Sequence, residues 1–586
     1  MKAEGEPGKI LIAGYILIGV LLLLVMRLWQ LQILQGSDYR KLSEANRLRI
    51  VSIAAPRGII FDRNGIPLVK NSPYYYASII PDEFNKSKVD LLAKVLGIPA
   101  EEIHEKIDRS DLSPFVPVRL KLGLNFNEIA YIEARRSDFP GLIIEVEVGR
   151  EYIYGEAGAH LIGYLGKPTP SQLKDPAFQD VSPEMFIGQW GIEKLFDNSL
   201  RGTPGSRIIE VNALGREIRL LQERTPIKGK DVTLSVDINL QKEAEKAFGE
   251  KAGALVAIKP DTGEILGMVS KPSFDPNLFT RGISRDKWAA ITNDKKNPML
   301  NRALQSQYPP GSTFKIVTAV AGLEERVINP DTRVECRGGI NYGPWHFGCW
   351  HPGGHGIISL HRAIVESCDV YFYEVGRRLG IDRIYDYATS LGLGEKTGVE
   401  LGRERQGLIP NTKWKLENRK LPWFLGETFN ASIGQGYVAV TPIQLAVMTG
   451  AIANGGIVYK PSLIKDSSPA ISGRLNISPD NLETVKKGLF GVVNEPGGTG
   501  WAARSDIVTV AGKTGTAQVV TQKSGSHYVA EKFRDHAWFV AFAPVEKPEI
   551  ALAVLVEHGG HGGGAAAPIA KSAIEAYIKP MHSLDR

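Results

Sequence analysis

Ser312 and Lys315 stand three residues apart, directly behind the turn-forming run Tyr308-Pro-Pro-Gly311. On a helix such a pair shares one face. A serine hydroxyl is a weak nucleophile at neutral pH, and an uncharged lysine amine one turn away can serve as its base. The amine's ordinary pKa near 10.4 must then fall by roughly 3 pH units, about 4 kcal/mol. Burial or a second cation supplies such a drop. The same spacing recurs at Ser171–Lys174, Ser284–Lys287 and Ser462–Lys465. Only at Ser312 does it follow a Pro-Pro-Gly turn and open an apolar stretch, Phe314 to Leu323. A helix start there sets free backbone N–H groups beside the hydroxyl, where an oxyanion would form.

A second cation is available in Lys513-Thr-Gly-Thr516, which follows the β-branched run Ile507–Val510 and leads into Ala517–Val520. This reads as a strand from 507 to 520, with a glycine gap beside which a substrate backbone can lie. A second Lys-Thr-Gly, at 396–398, lies among glycines and reads as a loop. Between the two motifs comes Ser367-Cys-Asp369. In this order the three clusters resemble the Ser-x-x-Lys, Ser-x-Asn and Lys-Thr-Gly signature of penicillin-binding proteins and serine β-lactamases.

The likeness runs through most of the chain. Residues 231–586 resemble a transpeptidase domain. Strands expected at Ala254–Ile258, Ile265–Val269, Ala537–Ala543 and Ile550–Val556 join the Lys513 strand in a five-stranded antiparallel sheet flanked by helices. Ser432-Ile-Gly-Gln-Gly436 and Gly497-Gly-Thr-Gly500 look like family landmarks. Arg57 to Gly65, two short strands around Asn64-Gly65, resembles the opening motif of class B penicillin-binding proteins. His160 to Gly166, Gly191-Ile-Glu193, Leu200-Arg-Gly202 and Asn212 to Arg216 continue that similarity. The chain is most similar to the elongation-specific peptidoglycan D,D-transpeptidases of that class.

What the resemblance implies is an acyl transfer on stem peptides ending in D-Ala-D-Ala. Ser312 is the implied nucleophile, Lys315 its base and Ser367 the relay to the leaving amine. Lys513 would supply positive potential that depresses Lys315 and attracts the substrate carboxylate, and Thr514 and Thr516 would bind that carboxylate beside Gly515. The N–H groups of Ser312 and Thr516 would form the oxyanion hole. β-Lactams would acylate Ser312 as mimics of the dipeptide. Asp369 departs from the family's asparagine: an ionised carboxylate accepts hydrogen bonds but donates none, so pairing with a lysine is expected instead. The implied partners are a SEDS-family glycan polymerase and other membrane proteins of the elongation complex. No cofactor is needed for the chemistry and no nucleic-acid motif is present. A β-lactamase would require a water-activating group, and no Glu-x-x-x-Asn loop stands out. A β-lactam sensor would need a cytoplasmic signalling region, and about nine residues precede the apolar segment. A division-specific transpeptidase is the nearest rival.

The 586 residues exceed one ordinary core. A hydrophobic share of 43% with 23% charged residues suits a folded protein, and the net charge of +6 marks only a mildly basic surface. The run Ile10–Met26 is uncharged, roughly 26 Å of helix at 1.5 Å per residue, and extension to Leu34 reaches bilayer length. Arg27-Leu-Trp-Gln30 follows it where small residues would mark cleavage. The expected architecture is therefore multidomain α+β. It comprises a tail over 1–9, an uncleaved anchor over 10–34, a mostly β pedestal over 35–228 with an inserted head at about 70–140, and the catalytic domain over 229–586. Lys2 and Lys9 precede the anchor while Arg27, Arg40, Lys41, Arg47 and Arg49 follow it, against the positive-inside rule. The inferred substrate nevertheless places the large domain on the extracytoplasmic side of the inner membrane.

Cys336, Cys349 and Cys368 are the chain's three cysteines, and His346, His351, His355 and His361 crowd the same region. Three thiolates and one imidazole complete a tetrahedral structural zinc site. Glycine-flanked His355 is the chosen fourth ligand, and a Cys336–Cys349 disulfide is the alternative. His558 and His561, in a glycine-rich stretch, read as a rim loop.

Overall fold

The computed structural model describes residues 7–37, 39, 47–108, 117–179, 181–183, 185–212, 217–280, 283–519 and 533–584. Residues 1–6 of the expected tail, Arg40 and Lys41, most of the Asn212–Arg216 motif and Val520 lie outside them. The chain divides into two compact units. One gathers Met1–Arg57, Asn71–Gly149 and Arg201–Gly229; the other gathers Gly58–Lys70, Arg150–Leu200 and Lys230–Arg586.

In the first unit the α-helix Pro7–Trp29 continues as a π-turn over Gln30–Leu34. The most apolar 18-residue stretch of Gly8–Leu34 has a mean hydropathy of 2.6 and none of it is buried. It is long and apolar enough to cross a membrane, and anchors the chain by a single pass. Strands Leu48–Ile53, Gly205–Val211 and Glu217–Arg224 form an antiparallel sheet. A separate core forms where helices Val89–Leu96 and Ala100–Asp108 bury Leu92, Leu96 and Ile103 against Ile79 and Leu120. Those apolar positions recur at helical spacing, which is why this polar stretch still folds around a core of its own.

The second unit is built on a five-stranded sheet in the order Ile265–Lys271, Gly253–Ile258, Ile550–Val556, His536–Ala543, Ala511–Ala517, antiparallel throughout. Its three central strands read as almost unbroken apolar runs because both faces are covered. Gly450 of helix Pro442–Asn454 meets Ile258 and Ala551 on one face. Gly267, one residue out of phase with them, meets Leu240 of helix Ile238–Phe248 on the other. The expected start of the fifth strand is corrected: Ile507–Val510 lies outside it, and the strand is Ala-Gly-Lys-Thr-Gly-Thr-Ala. Pairing with the apolar strand His536–Ala543 outweighs the local β-propensity of the branched run.

Two upstream segments pack into this unit. Ile60–Phe61 pairs with Val232–Thr233 in parallel and with Val69 and Pro67 antiparallel, around a turn in which Gly65 has φ +79°. Asp62 closes that turn by accepting the N–H groups of Asn64 and Ile66, both at 2.8 Å. His160 is buried edge-on to Phe274, 5.1 Å between ring centres.

Burial pushes the His160 imidazole down to about 4, against about 6.5 in an unfolded chain. Above pH 6.5 both states are neutral and the group contributes nothing to the pH dependence. As pH falls from 6.5 to 4 the unfolded chain takes up a proton that the folded one refuses, so stability is lost, by up to about 3 kcal/mol. His160→Asn is therefore expected to lose less thermal midpoint than the parent between pH 7 and pH 5. Equal losses in calorimetry would remove His160 from the acid response.

Candidate active site

Ser312 lies in a 3-10 turn, Gly311–Phe314, that runs directly into the buried helix Lys315–Glu324. Two glycines let neighbouring backbone close on it. Gly311 has φ +56°, and a Cβ there would stand 2.4 Å from the Thr516 carbonyl oxygen. A Cβ on Gly515 would meet Pro310 O at 2.8 Å. The Lys513 strand thus lies against the serine turn on one side. On another, Gly311 N donates to Gly434 O at 3.0 Å, and Gln435 Nε2 donates to Thr516 O at 3.0 Å. The Ser432–Gly436 landmark is in this way tied to both motifs. Ser312 and Thr516 stay partly exposed, while Lys315, Ser367, Asp369, Lys513 and Thr514 are buried.

Lys315 Nζ donates to Ser367 O at 2.7 Å, to Ser367 Oγ at 3.2 Å and to Asp369 Oδ1 at 2.7 Å. Asp369 therefore pairs with a lysine, and that lysine is Lys315. The strongest push toward a neutral amine falls on Lys513. It is wholly buried and held well below the ordinary lysine range, by burial first and by the Lys315 charge second, with Asp369 opposing. Its Nζ donates to Thr514 O at 3.1 Å. Thr514 Oγ1 is engaged with Thr499 Oγ1 at 2.6 Å, which gives the Gly497–Gly500 landmark a contact and leaves Thr516 as the more accessible hydroxyl.

Ser367 occupies the left-handed region, φ +57°, which a non-glycine residue adopts at a cost of roughly 1–2 kcal/mol. Sequence reasoning passed over the residue that braces this turn. Trp350 N donates to Asp369 Oδ2 at 2.9 Å, and its indole Nε1 donates to Glu366 O at 3.0 Å and Ser367 O at 3.1 Å. No motif marks Trp350, because one of its contacts is made by the main chain and the other reaches main-chain acceptors.

Behind Trp350, one donor atom from each of Cys336, Cys349, His355 and Cys368 lies within 4.8 Å of the others. The three cysteines are unbridged. His355 Nδ1 stands 3.5 Å from Cys336 Sγ and 3.6 Å from Cys349 Sγ. Tetrahedral zinc bonds of about 2.3 Å to sulfur and about 2.1 Å to nitrogen would impose close to 3.6 Å. A hydrogen bond from the Cys368 thiol pulls Cys349 down to about 5 and pushes Cys368 up. His355 Nε2 is buried and unbonded, 4.0 Å from Glu366 Oε2. Hairpin strands Arg333–Cys336 and Gly356–Ser359 pair antiparallel and bring Cys336 beside His355. His558, at φ +53°, faces Arg534 O and His536 instead, in a loop whose Gly562 packs against Gly515.

Comparisons with known proteins agree with this arrangement. The family described as penicillin binding protein transpeptidase domain matches residues 253–575, and penicillin-binding protein dimerisation domain matches residues 52–234. Peptidoglycan D,D-transpeptidase MrdA of Acinetobacter baumannii is 37% identical over 580 residues, covering 95% of this chain and 86% of that protein. A penicillin-binding protein, PBP2, solved in complex with MreC from Helicobacter pylori superposes with a TM-score of 0.77 at 31% identity, covering 91% of this chain and 99% of that one. A chain of a peptidoglycan synthase complex solved to show coordination of polymerization and crosslinking superposes at 0.74 and 33% identity, covering 97% and 98%. The chain belongs to the penicillin-binding protein transpeptidase family.

Proposed function

We propose that this chain is a peptidoglycan D,D-transpeptidase of cell elongation, acting through an acyl-enzyme on Ser312. The observation that carries the reading is the convergence of the Lys315–Ser367–Asp369 cluster and the Lys513 strand on the Ser312 turn. Ser312 Oγ attacks the carbonyl of the penultimate D-alanine of a stem peptide. Its proton passes to Lys315, one turn away, and then through Ser367 Oγ to the amine of the departing D-alanine. The oxyanion is received by the N–H groups of Ser312 and Thr516; losing one such donor typically costs about 3 kcal/mol. Thr516 Oγ1 binds the terminal carboxylate in the field of buried Lys513. Asp369 holds Lys315 between the two proton transfers, a task for which a carboxylate suits better than an amide. An amine of a neighbouring stem then displaces Ser312 and completes the cross-link. A β-lactam presents the same carbonyl and carboxylate, and leaves Ser312 acylated.

The apolar helix Gly8–Leu34 anchors the chain, and the substrate sets the catalytic unit on the extracytoplasmic side of the inner membrane. The chain makes no glycan strand by this chemistry, so a SEDS-family polymerase is the proposed partner. The likeness to one chain of a synthase complex supports that pairing, and likeness to a protein solved with MreC supports further elongation partners.

The four-donor cluster fits structural zinc. Cys336, Cys349, His355 and Cys368 would hold it, with Glu366 Oε2 4.0 Å from the far nitrogen of His355. The ion would supply cross-linking charge to a small hairpin and takes no step in the reaction.

Three outcomes test these assignments. Ser312→Ala is expected to abolish covalent labelling by a fluorescent penicillin, with the parent's adduct mapping to the peptide containing Ser312; persistent labelling would assign the nucleophile elsewhere. Asp369→Asn should retain measurable acylation at a rate lowered about tenfold, because the amide still reaches Lys315 but no longer balances its charge. A rate equal to the parent's would deny the carboxylate its role. Protein purified without chelator should carry about one zinc per chain by elemental analysis, and Cys349→Ser should lose most of it together with several degrees of thermal midpoint. A metal-free parent would end the zinc assignment.

A further inference from the structure

We propose that Trp350 is a positioning residue for acyl transfer, fixing Lys315 between Ser312 and Ser367 by holding both of the groups that Lys315 itself holds. The inference rests on the assignment of Ser312 and Lys315 above.

The three hydrogen bonds of Lys315 Nζ all go to one short segment, Ser367 to Asp369. Wherever that segment sits, the amine sits. The segment is not self-supporting. Ser367 has a left-handed backbone, and Asp369 begins the helix Asp369–Leu379 with a carboxylate free to turn about its own side-chain bonds. Trp350 opposes both freedoms. Its backbone N–H takes Asp369 Oδ2 while Lys315 takes Oδ1, so the carboxylate is gripped at both oxygens. Its indole N–H reaches the Ser367 carbonyl from a second direction while Lys315 reaches the same oxygen. Two donors on one residue thus reach two residues that Lys315 also bonds, and the indole N–H is shared with the Glu366 carbonyl at 3.0 Å.

Packing does not account for a tryptophan here. Its side of the cleft leaves it 55% exposed, and a large aromatic ring is ordinarily retained for the area it buries. Trp350 touches His351 and His355 edge-on at 5.7 and 5.6 Å, contacts that a phenyl ring of similar size could make. What a phenyl ring lacks is the N–H. Cys349, directly before it in the chain, is buried in the thiol cluster and sets where Trp350 begins.

The test uses the full-length protein in detergent. Trp350 is replaced by phenylalanine and, separately, by 3-benzothienylalanine, which keeps the indole's shape with sulfur in place of N–H. A third variant carries the α-hydroxy acid of tryptophan at 350, so that an ester removes the backbone donor to Asp369. Acylation by a fluorescent penicillin is followed over a range of concentrations, giving the limiting rate and the half-saturating concentration separately, alongside the thermal midpoint. Each variant is expected to lower the limiting rate about tenfold, with half-saturation and midpoint unchanged, as loss of one hydrogen bond worth about 1.4 kcal/mol would do. Limiting rates within twofold of the parent overturn the proposal, as do losses that appear as weaker half-saturation or as a lowered midpoint. The parent's labelled peptide separates the two levels of the argument: an adduct away from Ser312 defeats the site assignment itself, whereas a Ser312 adduct formed at parental rate in the variants defeats Trp350 alone.

Discussion

Two buried lysines share one carboxylate. Lys315 is 1% exposed, Lys513 not at all, and Asp369 is the acid that opposes Lys513's depression and bonds Lys315. Removing an ammonium from water costs several kcal/mol even after the protein relaxes. One counter-ion cannot offset two such costs equally. Asp369 makes a direct salt bridge to Lys315, and Lys513 answers by giving up its charge more readily. Asp369 is accordingly fixed at both oxygens, by Lys315 Nζ at 2.7 Å and by Trp350 N at 2.9 Å.

That arrangement explains features otherwise unrelated. Ser367 accepts an unfavourable backbone region because only there does its carbonyl turn toward Lys315 while its hydroxyl stays within 3.2 Å. The Lys513 strand is made of small residues because it must lie against the Ser312 turn, where Gly515 and Gly311 have no room for a side chain. The hairpin at 333–359 is short and carries exposed aromatic residues, so it has little apolar burial of its own to hold it. On the zinc reading proposed above, the four donor atoms gathered at its base would supply the stiffness that burial does not. It needs that stiffness because Trp350, at its end, touches the acid.

Side chains whose chemistry is distinctive were legible from the sequence. Ser312, Lys315, Lys513 and the Ser367–Asp369 pair announce themselves by type and order, and the cysteine cluster by crowding. The central strands were legible because a sheet covered on both faces requires long apolar runs. Backbone-mediated relations were not. Nothing in Gly58–Lys70 or Arg150–Leu200 advertises that these segments pack with the catalytic unit, since their ties are main-chain bonds such as Lys230 N to Ser199 O at 2.9 Å. The β-branched residues 507–510 misled for the converse reason: propensity is local, while strand limits are set by the neighbour across the ladder.

The same distinction bears on which lysine is perturbed. From spacing alone, Lys315 had to be the neutral amine and Lys513 the cation that made it so. The fold depresses Lys513, chiefly by burial, while the acid that follows Ser367 bonds Lys315 and not Lys513. A family asparagine at 369 could not do this, as an amide brings no charge to set against the ammonium. With aspartate, Lys315 is held in place by a salt bridge at 2.7 Å. The arrival of a peptide carboxylate near Thr516 then adds a second negative charge beside Lys513. On the reading proposed above, that second charge opposes the burial that depresses Lys513 and favours its charged form.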